Sequence, residues 1–157
     1  MPLLGASRAE DCLKCPRGQY QSGTGQANCT VCPTGTYSAN IGSSKCEDCE
    51  PGGFCEVVDG SMVRQVCSAG RYNPETRSTS IESCLLCPAG TSGSKTGADS
   101  IETCEPCRAG SFGLDSGLAE CDSCAGGTYQ NDTGATGCRD CEKGSYCEPG
   151  ASRPLPC

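Results

Sequence analysis

The chain has 157 residues, 18 of them cysteine, with no histidine, no tryptophan and a formal charge of −7 at pH 7. Its 18 Leu, Ile, Val and Phe residues amount to about 11 per cent, under the roughly 20 per cent that an ordinary apolar core requires, so something other than hydrophobic burial must hold it. The acidic charge excludes a phosphate-backbone footprint, no apolar run is long enough to form a membrane-crossing helix, and catalysis has no foothold without histidine or a recognisable nucleophile and base.

The segment 1–14 opens as MPLLGASRAEDC, with no basic n-region and no apolar h-region, so no secretory leader is expected within it. Cys15 then opens a pattern, C-x-x-G-x-aromatic, that returns as CPRGQY, CPTGTY, CEPGGF, CSAGRY, CPAGTS, CRAGSF, CAGGTY and CEKGSY. The openers are Cys15, Cys32, Cys49, Cys67, Cys87, Cys107, Cys124 and Cys141, with Cys157 in the next such place; the spacings are 17, 17, 18, 20, 20, 17, 17 and 16. Glycine stands three places after each, at Gly18, Gly35, Gly52, Gly70, Gly90, Gly110, Gly127 and Gly144. All seven aromatics of the chain fall five places after an opener: Tyr20, Tyr37, Phe54, Tyr72, Phe112, Tyr129 and Tyr146. Ser92 alone breaks the register.

Units 1–3 occupy 15–66, units 4 and 5, with longer loops, 67–106, and units 6–8 107–156. A larger period lies over them. Cys12, Cys15, Cys29, Cys32, Cys46, Cys49 and Cys55 return 92 residues later as Cys104, Cys107, Cys121, Cys124, Cys138, Cys141 and Cys147. On that period (12–103, then 104–157 incomplete) Cys12 closes a unit begun upstream and Cys157 opens one that does not close. The chain is therefore expected to be a segment of a longer tandem protein.

Each unit should be a turn and a short hairpin. Pro after the opener fixes φ, and the glycine supplies positive φ or close chain approach. A second glycine four places before the closing cysteine (Gly25, Gly42, Gly117, Gly134) turns the chain back. No stretch keeps a 3.6-residue apolar period, so little helix is expected. Gly60 to Gly70 reads as a flexible joint. The fold class is a small disulfide-rich one: tandem stapled hairpins in an elongated rod with no single core.

Seven C-x-x-C pairs invite a metal reading, and Cys12, Cys15, Cys29 and Cys32 would make a tetrathiolate set. Yet the pairs are odd in number, Cys55, Cys67, Cys147 and Cys157 stand alone, no histidine completes them, and zinc has no use for the aromatics. A thioredoxin-type centre needs a C-x-x-C at a helix N-terminus in an α/β domain, which is absent here. Neither metal nor cofactor is expected. Disulfides fit the count: Cys15–Cys29, Cys32–Cys46, Cys107–Cys121 and Cys124–Cys138 in the common unit, Cys67–Cys84 and Cys87–Cys104 in the longer ones. Closing a loop of about 15 residues contributes roughly 3 kcal/mol in the chain-entropy model, which units this small need. Units 3 and 8 carry a cysteine directly after the aromatic, giving Cys49–Cys55 and Cys141–Cys147. Crossed pairs, Cys49–Cys67 with Cys55–Cys84, stay open, because spacing alone does not set connectivity. Cys12 and Cys157 are left unpaired within the segment. The aromatics are expected to pack on disulfides.

The motif C-P-x-G-x-Y…G…C-x-x-C, alternating with C-x-x-G-x-Y-C, resembles the ephrin-receptor-like cysteine-rich repeat from Cys12 to Cys157. It also looks like the opening module of tumour-necrosis-factor-receptor cysteine-rich domains. Ser92 for the aromatic and Ser68, Arg108 and Ala125 for Pro are the departures. The resemblance implies a non-enzymatic, extracellular or cell-surface array, as in surface receptors, adhesion proteins and ciliary-hair proteins, working as spacer or assembly module with other chains or copies of itself. A receptor ectodomain that binds a protein ligand is the alternative. Asn131-Asp132-Thr133 and Asn28-Cys29-Thr30 are N-glycosylation sequons, with Asn131 the better acceptor because Asn28 adjoins a bridging cysteine.

Overall fold

The structure is a computed structural model describing residues 14–23 and 28–157. Cys12, Gly25 and most of the segment 1–14 lie outside the described residues. The described residues form eight two-stranded antiparallel sheets in succession. In the first three, β1 (Gln19–Tyr20) pairs with β2 (Thr30–Val31), β3 (Thr36–Tyr37) with β4 (Glu47–Asp48), and β5 (Gly53–Val58) with β6 (Ser61–Val66). Next come β7 (Arg71–Tyr72) with β8 (Leu85–Leu86), β9 (Thr91–Ser92) with β10 (Glu105–Pro106), and β11 (Ser111–Phe112) with β12 (Asp122–Ser123). The last two are β13 (Thr128–Tyr129) with β14 (Arg139–Asp140) and β15 (Ser145–Tyr146) with β16 (Leu155–Pro156).

The repeat explains this plan. Before each first strand, the residue after the glycine donates its N–H to the carbonyl three places back, as Gln19 to Pro16, Thr36 to Pro33 and Arg71 to Ser68 (3.0–3.2 Å). The glycine between them has φ near +80° (78° at Gly18, 80° at Gly35 and Gly70), the third place of a type II turn, which a Cβ penalises. Pro contributes only its carbonyl here, so Ser68, Arg108 and Ala125 make the same bond without it. The second strand ends directly before the next opening cysteine. In most hairpins it is the pair of residues inside a C-x-x-C, such as Thr30–Val31 between Cys29 and Cys32. That next cysteine donates its N–H to the turn glycine in every unit, from Cys32 to Gly18 through Cys157 to Gly144, at 2.9–3.1 Å. The C-x-x-C is thus a short strand that closes one hairpin and launches another.

The third hairpin overturns one expectation. Gly60 to Gly70 is no flexible joint: Ser61–Val66 is a full strand of the longest sheet, with six residue pairs from Gly53↔Val66 to Val58↔Ser61. Asp59 and Gly60 both have positive φ (50° and 78°), the two-residue turn whose twist matches paired strands, and Asp-Gly is its preferred sequence. Two single-turn 3₁₀ helices, Ile81–Ser83 and Ile101–Thr103, fill the longer loops and deliver Cys84 and Cys104.

Packing is carried by sulfur and backbone. Among the described residues, cysteines dominate the buried apolar positions, with Phe54, Met62 and Ala98 the others. Neighbouring units clamp each other twice. The turn glycine's N–H reaches the carbonyl after the next unit's aromatic position: Gly52 to Asn73 (2.7 Å), Gly70 to Gly93 (2.6 Å), Gly90 to Gly113 (2.8 Å), Gly110 to Gln130 (2.7 Å). In return a left-handed residue in the next unit's loop donates to the opening cysteine: Gly97 to Cys67 (2.7 Å), Gly117 to Cys87 (2.8 Å), Gly134 to Cys107 (2.7 Å). That loop residue also meets the unit before. The α-carbon of Gly52 abuts the Gly97 carbonyl, that of Gly70 the Gly117 carbonyl, that of Gly90 the Gly134 carbonyl and that of Gly110 the Gly150 carbonyl. Each junction therefore joins three successive units. Arg77 holds the same place in unit 4, at φ 58°, donating to Cys49 (2.7 Å). Contacts between near neighbours make the molecule quasi-one-dimensional. Its accessible area of 9,992 Å² exceeds the ~7,400 Å² of a compact monomer of this mass.

Candidate functional site

The structure bonds Cys15–Cys29, Cys32–Cys46, Cys49–Cys55 and Cys67–Cys84. It also bonds Cys87–Cys104, Cys107–Cys121, Cys124–Cys138 and Cys141–Cys147. Cys157 is free and exposed. With their sulfurs bonded to each other, Cys15 and Cys29 offer a metal no thiolate, and the described residues hold no cluster of three or more potential ligands. No helix among them is long and apolar enough to cross a membrane.

Three of the aromatics pack on buried cysteine clusters. Phe54, 5 % exposed, forms one buried cluster with Cys67 and Cys84. Tyr20 and Tyr37 pack against the cluster of Cys32, Cys49, Cys55 and Met62. Tyr72, Phe112 and Tyr129 are half-buried, and Tyr146 is exposed.

One position, noticed in the sequence only where it is cysteine, is the residue after the aromatic. Ser38, Cys55, Asn73, Gly93, Gly113, Gln130 and Cys147 are all buried there, because their backbone lies in the inter-unit clamp. The signal was the small or amide-bearing character of all seven. Asn73 has no exposed surface. Its Nδ2 donates to the Gly53 carbonyl (2.7 Å) and Ser78 Oγ (2.8 Å), and its Oδ1 accepts from the Glu75 N–H (3.0 Å). Gln130 ties its own loop alike, donating to the Gly137 carbonyl (2.7 Å) and accepting from the Asp132 N–H (3.0 Å). Asn73→Ala strands these buried partners and should cost about 2–4 kcal/mol. The check is native-state hydrogen exchange, where the Gly52 and Cys55 amides lose protection while those of units 7 and 8 keep theirs.

Where the aromatic is missing, the surface opens. Ser92 lines a cleft of about 790 Å³ between units 5 and 6. Its Oγ lies 3.2 Å from Cys121 Sγ; the bonded sulfur has no proton, so the hydroxyl donates. Cys107 and Cys121 lie at the cleft, with Lys95, Arg108, Glu102, Glu105 and Glu120 around it. The Ser100 hydroxyl holds the Glu102 carboxyl below the ordinary glutamate range, as Ser80 does for Glu82 in the preceding unit. Elsewhere on the surface, Asn131 and Thr133 are exposed in the loop after β13, and Asn28 and Thr30 flank the half-buried Cys29.

A comparison with protein families matches the one described as tyrosine-protein kinase ephrin type A/B receptor-like, over residues 5–49, 22–67 and 59–104. A comparison with curated proteins finds no match.

Proposed function

The chain belongs to the ephrin type A/B receptor-like family, and from that membership we propose that it serves as a non-enzymatic, extracellular interaction array, a spacer or assembly module in a larger surface protein. One observation carries the spacer role: the staples lie in series. A load entering at Cys67 passes through the Cys67–Cys84 bond, two residues of strand, then the Cys87–Cys104 bond, and so on to Cys141. The same series runs from Cys15 to Cys55, and between the two runs the load crosses the unstapled β5–β6 hairpin. Every stapled loop, with separations of 6, 14 or 17 residues, is bypassed. From Cys67 onward the array so resists stretching in proportion to its covalent links, whatever happens to its weak hairpins. Units 1–8, in the blocks 15–66, 67–106 and 107–156, are the repeating elements of that rod. An extracellular setting agrees with the family and with the eight disulfides of the described residues, which persist where the surroundings are oxidising. Other chains or copies of the array are its partners, and Asn131, exposed beside its threonine, is the place for an N-glycan.

Force spectroscopy on the oxidised chain, held near Cys67 and Cys141, tests this. No stepwise lengthening is expected until reductant is added. Each reduced 14-residue loop then releases about 42 Å, from roughly 3.4 Å per extended residue less the span of the bond. Loop-sized steps in the oxidised protein would sink the spacer role. The receptor alternative is favoured by a separate observation, the cleft beside Ser92.

A further inference from the structure

The register of aromatics makes the Ser92 cleft a vacancy of known shape. In unit 3, Phe54 lays its ring against the next unit's disulfide, Cys67–Cys84. Ser92 stands in the same place in unit 5, and the next unit's disulfide is Cys107–Cys121. The Ser92 hydroxyl reaches that disulfide at Cys121, which is half-buried, whereas Cys107 is buried. The space a ring would fill is continuous with an open cleft of about 790 Å³, several times the volume of one ring. It therefore has room for a side chain delivered from outside together with its neighbouring backbone.

We propose that this cleft is a docking site for a protein partner that inserts a tyrosine or phenylalanine side chain over the Cys107–Cys121 disulfide. Aromatic rings in partly enclosed pockets are the usual anchors of protein interfaces, and they pack favourably against divalent sulfur. The rim chooses the partner's flanks. Three carboxylates (Glu102, Glu105, Glu120) face two cations (Lys95, Arg108), so a ring flanked by basic residues is preferred over one flanked by acidic residues. The inference goes beyond the spacer role and holds whether or not the array bears load.

The test titrates the full oxidised chain with acetyl-Lys-Tyr-Lys-amide and with its alanine analogue, acetyl-Lys-Ala-Lys-amide, reading backbone amide shifts. The tyrosine peptide is expected to give saturable shifts at Ser92, Thr103, Ser111 and Cys121, and the alanine peptide none of them. Ser92→Tyr fills the vacancy with the chain's own ring and should weaken binding about tenfold or more, the scale of an anchor residue. Ser92→Ala leaves the cleft open and should keep binding, which separates occlusion from misfolding. Absence of saturable shifts, equal shifts from both peptides, or undiminished binding to Ser92→Tyr would each overturn the proposal.

Discussion

Gly70→Ala will unfold the middle of the array, while Gly144→Ala, the same change in the same motif, will be far milder. Both glycines have left-handed backbone, φ 80° and 83°, so both substitutions carry the conformational cost of about 1–2 kcal/mol. Only at Gly70 does a second cost arise. A Cβ there would run into the carbonyl group of Gly117, whereas nothing lies within 4 Å at Gly144. The Gly117 peptide has nowhere to go. Its N–H is bonded to the Cys87 carbonyl (2.8 Å), and the Leu86 side chain lies close against its α-carbon. Relief requires breaking the clamp between units 5 and 6, so the total should exceed about 4 kcal/mol, the range of severe backbone and overpacking mutants. Hydrogen exchange would show amides of units 4–6 losing protection in Gly70→Ala. Equal effects from the two substitutions would mean that the three-unit junction contributes nothing.

Removing the staple of unit 4 with Cys67→Ser and Cys84→Ser is the second large loss. The bond closes a loop of separation 17, which the chain-entropy model values at about 3 kcal/mol. Both sulfurs are nearly inaccessible, at 1 % and 2 %, and Phe54 packs on them. Two buried hydroxyls there add a further ~1–3 kcal/mol wherever partners are lacking. The Arg71 guanidinium, which donates to the Cys84 carbonyl (3.0 Å), loses its anchor as the hairpin opens. Trypsin should then cut after Arg71 much faster than in the parent. The matching change in unit 8, Cys141→Ser with Cys147→Ser, opens a loop of only 6 and should cost about 2 kcal/mol. Unchanged resistance at Arg71 would show that packing, not the staple, maintains unit 4.

Much of the fold was legible because its signals are local. A type II turn announces itself through a glycine at a set distance from a cysteine. The period of 17 to 20 residues and the shortage of apolar residues then leave a disulfide-rich series of short hairpins. The misreading of Gly60 to Gly70 was also local: Asp59-Gly60 between EVV and SMVRQV is a hairpin signal, overlooked because the stretch lacks the cysteine that marks its neighbours. The cleft was half legible. Ser92 stood out as the exception to the aromatic register, but nothing along the chain said that its ring would have rested on a disulfide of the following unit.

What the sequence determined alone is the repeat unit: where each turn falls, how long each loop is, and that sulfur replaces an apolar core. What only the tertiary structure decided is how units stack. Those contacts run between backbone groups, the N–H of one turn glycine to the carbonyl of Asn73, Gly93, Gly113 or Gln130, and the α-carbon of another against the carbonyl of a loop two units on. A backbone carbonyl is the same on every residue, so its partner leaves no mark in the sequence. The glycine is visible as a turn residue, and only in three dimensions does it prove to be the point where three units meet.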